Sequence, residues 1–183
     1  MANQTLMTAD EFEAVAHQLG PCELVRGEVI TLSPGGFAHS RHTAVLAFLL
    51  GRWESQTRLG RVLTCEMGVV VEQDPDTVRG GDVVYYSYER LPREATPEGF
   101  CRVPPNLIVE IVGKGQGWRA MVRKTSEYLA MGVDRVWVVD PQTRRVHIFR
   151  PDAEPIILSG DDTLTDETVL PGFTRKISDL FAT

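Results

Sequence analysis

Residues 107–139 constrain the fold more than any other part of the chain. Leu107-Ile108-Val109-Glu110-Ile111-Val112 reads as a fully buried strand that holds one acid. A glycine-rich turn, Gly113 to Gly117, leads into a helix over about Trp118–Met131, which Gly132 ends. Arg135-Val136-Trp137-Val138-Val139 is a second apolar strand. Strand, helix and strand at this connection length form a βαβ unit, which predicts parallel neighbours joined by a right-handed crossover.

The remaining segments predict what surrounds that unit. Thr8-Ala9-Asp10-Glu11 has capping-box spacing and starts a short helix that stops before Gly20-Pro21. Cys22–Arg26 and Glu28–Leu32 read as two strands turning at Gly27. After Ser33-Pro34-Gly35-Gly36 a long helix is expected over about 38–56, with Val45, Leu46, Leu49 and Trp53 on its apolar face. Leu63, Cys65, Met67, Val69 and Val71 alternate with period two and predict a half-buried strand. Asp82 opens the next strand, running to Tyr86, and Val146–Phe149 is another. Short strands and a small helix near Ser178–Phe181 close the chain. With 183 residues, 43% hydrophobic and 24% charged, this is one domain with a full core rather than a disordered chain. The class expected is α/β (α+β): a mixed β-sheet flanked by helices, spanning residues 1–183.

Several functional classes fall away. No apolar run reaches the roughly 20 residues that span a bilayer, and the first 14 residues lack the basic start and apolar run of a secretory signal. Cys22, Cys65 and Cys101 are odd in number and widely spaced, so free thiols in a cytoplasmic protein are expected. Exposed apolar side chains in the early hairpin and the tail leave room for a homodimer. The net charge of −6 argues against a nucleic-acid partner only until it is located. From Pro151 onward seven acids face Arg175 and Lys176, which leaves the first 150 residues near neutral. Lys114, Arg119, Arg123 and Lys124 lie in an acid-free stretch, and Arg41, Arg52, Arg58 and Arg61 face only Glu54. Either stretch is a solvated helix face or a contact for a polyanion.

Three residues carry the candidate chemistry. Glu110 sits in an otherwise apolar strand, where a carboxylate costs several kcal/mol unless paired or metal-bound. A partner arginine would satisfy it equally well. Asp82, after Arg79-Gly80-Gly81, either caps a turn or faces the same end of the sheet. Together the two acids could hold a hard cation such as Mg²⁺ or Mn²⁺. Lys124 is one of only three lysines against 16 arginines. With Trp118, Val122, Thr125 and Leu129 as the core stripe of its helix, Lys124 borders the packed face, where it leans over Glu110 or snorkels along the edge. Tyr128, one turn on, packs or donates to the same group.

Gly-Glu-Val-Ile at 27–30, Asp82-Val83-Val84, Pro104-Pro105-Asn106-Leu107-Ile108-Val109-Glu110-Ile111, Lys124 followed by Tyr128 and Gly132-Val133, Val136 to Pro141, and Leu170-Pro171-Gly172-Phe173 occur in this order. The set resembles the Uma family of restriction-endonuclease-like proteins, a branch of the PD-(D/E)XK nuclease superfamily, over about Cys22–Phe181. The resemblance implies the restriction-endonuclease-like fold, Mg²⁺ or Mn²⁺ as cofactor, DNA as partner, and a site of Glu28, Asp82, Glu110 and Lys124. Asp82 and Glu110 would ligate the metal. Two departures stand out. Val112 occupies the position where the superfamily pattern has lysine, and Lys124 fits the displaced lysine of the Uma branch. Gly113-Lys114-Gly115 replaces the usual Ser-Pro-Ser, which leaves Lys114 as a rival cation and a non-catalytic binding module as the alternative function. His39 and His42 read as helix-face residues or phosphate contacts beside Arg41, His17 and His147 show no partner, and Trp118 and Trp137 read as core.

Overall fold

The computed structural model describes residues 6–182; the first five residues, part of the segment read for a signal, lie outside it. Thr8 caps the first helix, α1 (Ala9–Leu19), through a reciprocal box with Glu11. A hairpin follows, β1 (Cys22–Val25) and β2 (Glu28–Thr31), and then the long helix α2 (Phe37–Thr57). Strands β3 (Gly60–Glu72) and β4 (Thr77–Ser87) form a long antiparallel pair. The βαβ unit appears as β5 (Leu107–Ile111), α3 (Trp118–Met131) and β6 (Arg135–Asp140), with β5 and β6 parallel. Strands β7 (Arg145–Arg150) and β8 (Ala153–Ser159) extend the sheet. A separate hairpin, β9 (Thr163–Asp166) and β10 (Leu170–Lys176), precedes the short α4 (Ile177–Leu180).

The main sheet runs β2-β1-β4-β5-β6-β7-β8, with β3 on β4 off this path. It is mixed and mostly antiparallel. Alternation along the central strands sends Val83, Tyr85, Leu107, Val109 and Ile111 to one face, where Leu46, Leu50 and Trp53 of α2 pack with Phe173, Ile177 and Leu180. Val84, Tyr86, Ile108, Val136 and Val138 face the other way, onto Met121 and Tyr128 of α3. By this parity Glu110, two residues after Ile108, also faces α3.

Strand β4 has a peculiarity that decides where the site lies. Its first part pairs with β1 at Leu24↔Val78, and its last part pairs with β5 from Val83↔Val109 onward. Between those contacts, Arg79, Gly80, Gly81 and Asp82 have β3 on one side and no strand on the other. Asp82 therefore lies in mid-strand, five residues after the strand begins, and not at its start as its sequence context predicts.

Three other expectations are corrected. The buried face of α2 is Leu46, Leu50 and Trp53, with Val45 and Leu49 only partly covered. The period-two run in β3 breaks at Cys65 and Glu66, both exposed and both with positive φ, in a bulge between Thr64 and Met67. In α3 the buried positions are Met121, Thr125 and Tyr128, whereas Trp118 is 44% exposed and Val122 37%. Trp118 packs at a tilt against His147, ring centroids 4.6 Å apart, instead of entering the core. Trp137 is fully buried as expected.

The closeness of β3 to β4 gives a direct test. A Cβ added at Gly60 would overlap the Tyr86 carbonyl oxygen and the Tyr85 ring. Because backbone cannot move aside as a side chain tip can, Gly60→Ala is expected to cost about 1–3 kcal/mol. The expected readout is a lower urea midpoint with an unchanged m-value.

Candidate functional site

The gap beside β4 is filled by charged side chains that use the backbone groups a strand would have taken. Gly80 N–H donates to Glu23 Oε1 at 3.1 Å. Gly80 O accepts from Lys124 Nζ at 2.8 Å, with the Tyr128 hydroxyl oxygen 3.2 Å away. At the other end of the gap, the Ile111 N–H lies beyond the last β4–β5 pair and donates to Asp82 Oδ2 at 2.6 Å. Buried backbone donors and acceptors must find partners. Here the partners are the candidate site residues themselves.

Lys124 stands at the centre. Its three N–H bonds are matched by Gly80 O, Glu110 Oε2 at 3.0 Å and Glu23 Oε1 at 3.0 Å. Glu110 is 3% exposed, and its second oxygen accepts from the Tyr128 hydroxyl at 2.7 Å. Glu23 extends the chain of charges to Arg79 Nη1 at 2.8 Å, and Arg79 Nε reaches Glu127 at 2.7 Å. On the α2 side, His39 Nε2 meets Asp82 Oδ1 at 3.1 Å while its Nδ1 faces Ile111 O at 3.2 Å.

The electrostatics follow from burial and pairing. Burial pushes the Glu110 carboxyl up to about 7, aided by the Asp82 charge and opposed by Lys124 and Tyr128. Burial also works against the charge on Lys124, but Glu110 and Glu23 outweigh it and hold the ammonium above its ordinary value. Burial likewise opposes ionisation of Glu23, and Lys124 and Arg79 overcome it, so that carboxyl lies below its usual range. The Asp82 hydrogen bond raises His39 against its partial burial. Tyr128 stays a phenol, raised first by burial and then by Glu110.

Asp82, Glu110 and Lys124 thus come together, as the sequence suggests. Glu28 does not join them. It is exposed on the outer strand β2, opposite Val25, and shares no hydrogen bond with the other three. Glu23, one strand inward on β1, stands where Glu28 was expected. Lys114, the rival cation, is exposed in the loop after β5. His39 and Arg79 were also missed as site residues. Glu23 carried a usable signal, an acid in an apolar strand (Cys22, Leu24, Val25), which is the same anomaly that marked Glu110. His39 carried none, because its partners are 43 and 72 positions away.

A cleft of about 490 Å³ opens on this cluster between α2 and β3, with His39, Thr43, Cys65, Glu66 and Asp82 in its wall. Among the described residues no three His, Cys, Asp or Glu side chains are grouped to hold a metal by themselves. A hard divalent cation would draw on the oxygens of Asp82 and Glu110, with water completing its shell, as suits Mg²⁺. The donor set fits in kind. In this structure each of those four oxygens has a protein partner.

A mixed sheet with helices on both faces, an acid pair at its open gap and a lysine reaching in from the crossover helix describe a nuclease-like fold. Residues 9–178 match the model of the Uma2 family, described as "Putative restriction endonuclease", and the chain belongs to that family. A solved structure from Anabaena variabilis, described as a "putative nuclease belonging to DUF820", is similar to it with a TM-score of 0.80 and 21% identity. The likeness covers 96% of this chain and 97% of that one, and at this identity it speaks for the fold. Comparison with curated proteins gives no match.

Two outcomes test the electrostatic account. Glu23→Ala leaves Arg79 and Lys124 short of a buried counter-charge and is expected to cost about 3–5 kcal/mol. Glu28→Ala should stay within about 0.5 kcal/mol; chemical denaturation of both variants checks the contrast. A carboxyl raised from 4.5 to about 7 contributes stability that is complete below its unfolded value and is lost as pH climbs through the folded one. Wild type should therefore lose ground against Glu110→Gln as pH rises from 4.5 to 7. Melting curves of the two proteins across that window measure it.

Proposed function

We propose that the chain is a metal-dependent endonuclease that hydrolyses DNA phosphodiester bonds. The observation that carries this reading is the buried Glu110–Lys124 pair at 3.0 Å, set beside an Asp82 carboxylate that lines a cleft. A carboxylate pair beside a fixed ammonium combines the two charges that phosphoryl chemistry needs. Asp82 and Glu110 would hold Mg²⁺ or Mn²⁺, which when bound would polarise a phosphoryl oxygen and lower the pKa of an attacking water.

The protein's own residues do the rest. Tyr128 and Lys124 fix the rotamer of Glu110 from two directions. Lys124, held by three acceptors, contributes a stationary positive charge toward the negative charge that develops on the phosphate. Its neighbours Glu23 and Gly80 keep it in place rather than touching substrate. Lys114 lies three residues beyond Ile111 and Arg41 two beyond His39, and both are exposed. Those positions suit contacts to a DNA backbone.

A second reading has an observation of its own. Because each oxygen of Asp82 and Glu110 already has a protein partner, the same cluster would serve as the buried core of a non-catalytic nucleic-acid-binding module. Plasmid nicking in Mg²⁺ and Mn²⁺ separates the two. The nuclease reading expects cleavage that falls by at least about a hundredfold in Glu110→Ala and Lys124→Ala and survives in Lys114→Ala with weaker DNA binding. Metal-independent nicking, or nicking that persists in Glu110→Ala, would sink it.

A further inference from the structure

This inference rests on the metal-dependent reading above and concerns the residue that stands in the cation's way. The His39 ring lies between two acceptors, Asp82 Oδ1 at 3.1 Å and Ile111 O at 3.2 Å, one at each nitrogen. The imidazole therefore sits directly over Asp82 Oδ1, held on its other side by the Ile111 carbonyl. The position is a built one. His39 belongs to the first turn of α2, its side chain is 21% exposed, and Gly35 packs so close that an added Cβ there would stand 2.8 Å from His39 Cδ2.

Both acids are covered by protein groups without a metal. Glu110 has Lys124, and Asp82, which is 7% exposed, has His39. The other Asp82 oxygen is committed to the Ile111 N–H, which lies inside the sheet and has no alternative partner strand. Oδ1 is therefore the Asp82 oxygen a cation can claim, and the imidazole covers it. The ring also has somewhere to go, since His39 and Asp82 both line the 490 Å³ cleft.

We propose that His39 is a removable cover: its ring and a divalent cation alternate at Asp82 Oδ1, and metal binding swings the ring into the cleft. The ring thus sets the affinity for the cation by competing with it for that oxygen. Removing the ring should strengthen cation binding, the opposite of what removing a ligand does.

Calorimetric titration of Mn²⁺ into wild type, His39→Ala and Asp82→Asn tests this without reference to cleavage. The expected result is binding by wild type, binding tighter by on the order of tenfold in His39→Ala, equivalent to one charge-assisted hydrogen bond no longer broken, and loss of binding in Asp82→Asn. His39→Gln, which keeps a single donor and a similar helix start, should fall between wild type and alanine, and it carries the test if the alanine variant does not fold. Equal or weaker binding in the His39 variants, with wild type still binding, overturns the alternation and leaves the nuclease reading standing. Absence of Mn²⁺ binding in all of the proteins overturns both.

Discussion

The structure depends on an interruption in the pairing of one strand. Between Val78, where β1 lets go, and Val83, where β5 begins, β4 runs for four residues with no neighbour on that edge. Unpaired buried backbone groups are costly, and the chain meets the cost with ionised side chains rather than with a strand. On the β3 side the fit at Gly80 is tight, since an added Cβ would press on Glu66 of the β3 bulge. The gap is therefore both a defect in the sheet and the reason that charged groups can be held at its centre.

Once charges enter such a place they must arrive in a balanced set. Glu23, Asp82, Glu110 and Glu127 are matched by Lys124, Arg79 and the His39 ring, with Arg123 closing the series on Glu127 from outside. The set ties β1, β4, β5, α2 and α3 together through side chains alone. Interaction energies in such a network are not separable into single contacts. Asp82 and Glu110, the two candidate metal ligands, differ in surroundings. One faces a mostly buried imidazole that lines the cleft, the other a buried ammonium and phenol, and this difference makes Asp82 the more accessible of the pair.

Much of this was legible in the sequence where local pattern and global fold agree. The βαβ unit, the capping box and the parallel pairing of β5 with β6 followed from period and punctuation. The face of α3 was not, and the reason is instructive. Met121, Lys124, Thr125 and Tyr128 recur at helical spacing and are the true inward stripe, but two of the four are polar. A search for hydrophobic periodicity then prefers Trp118, Val122 and Leu129, which lie at the rim. Lys124 is half-buried at the edge of that stripe and leans over Glu110, as its spacing suggested. The same kind of blindness hid Glu23, since the early motif drew attention to Glu28, and hid His39, whose role exists only in three dimensions. The period-two reading of β3 failed at a bulge that no residue in Thr64–Met67 announces.

The double duty of Lys124 and Glu23 bears on how this lineage can change over evolutionary time. A substitution that removed one member would unbalance the fold before it altered any reaction, so natural selection for a foldable protein is enough to preserve the whole group. Descendants would be expected to keep these acids and bases as a matched inheritance, or to shed them together with a rebuilt sheet edge. Drift at this locus should proceed in compensated pairs, with the exposed Lys114 free to vary on its own.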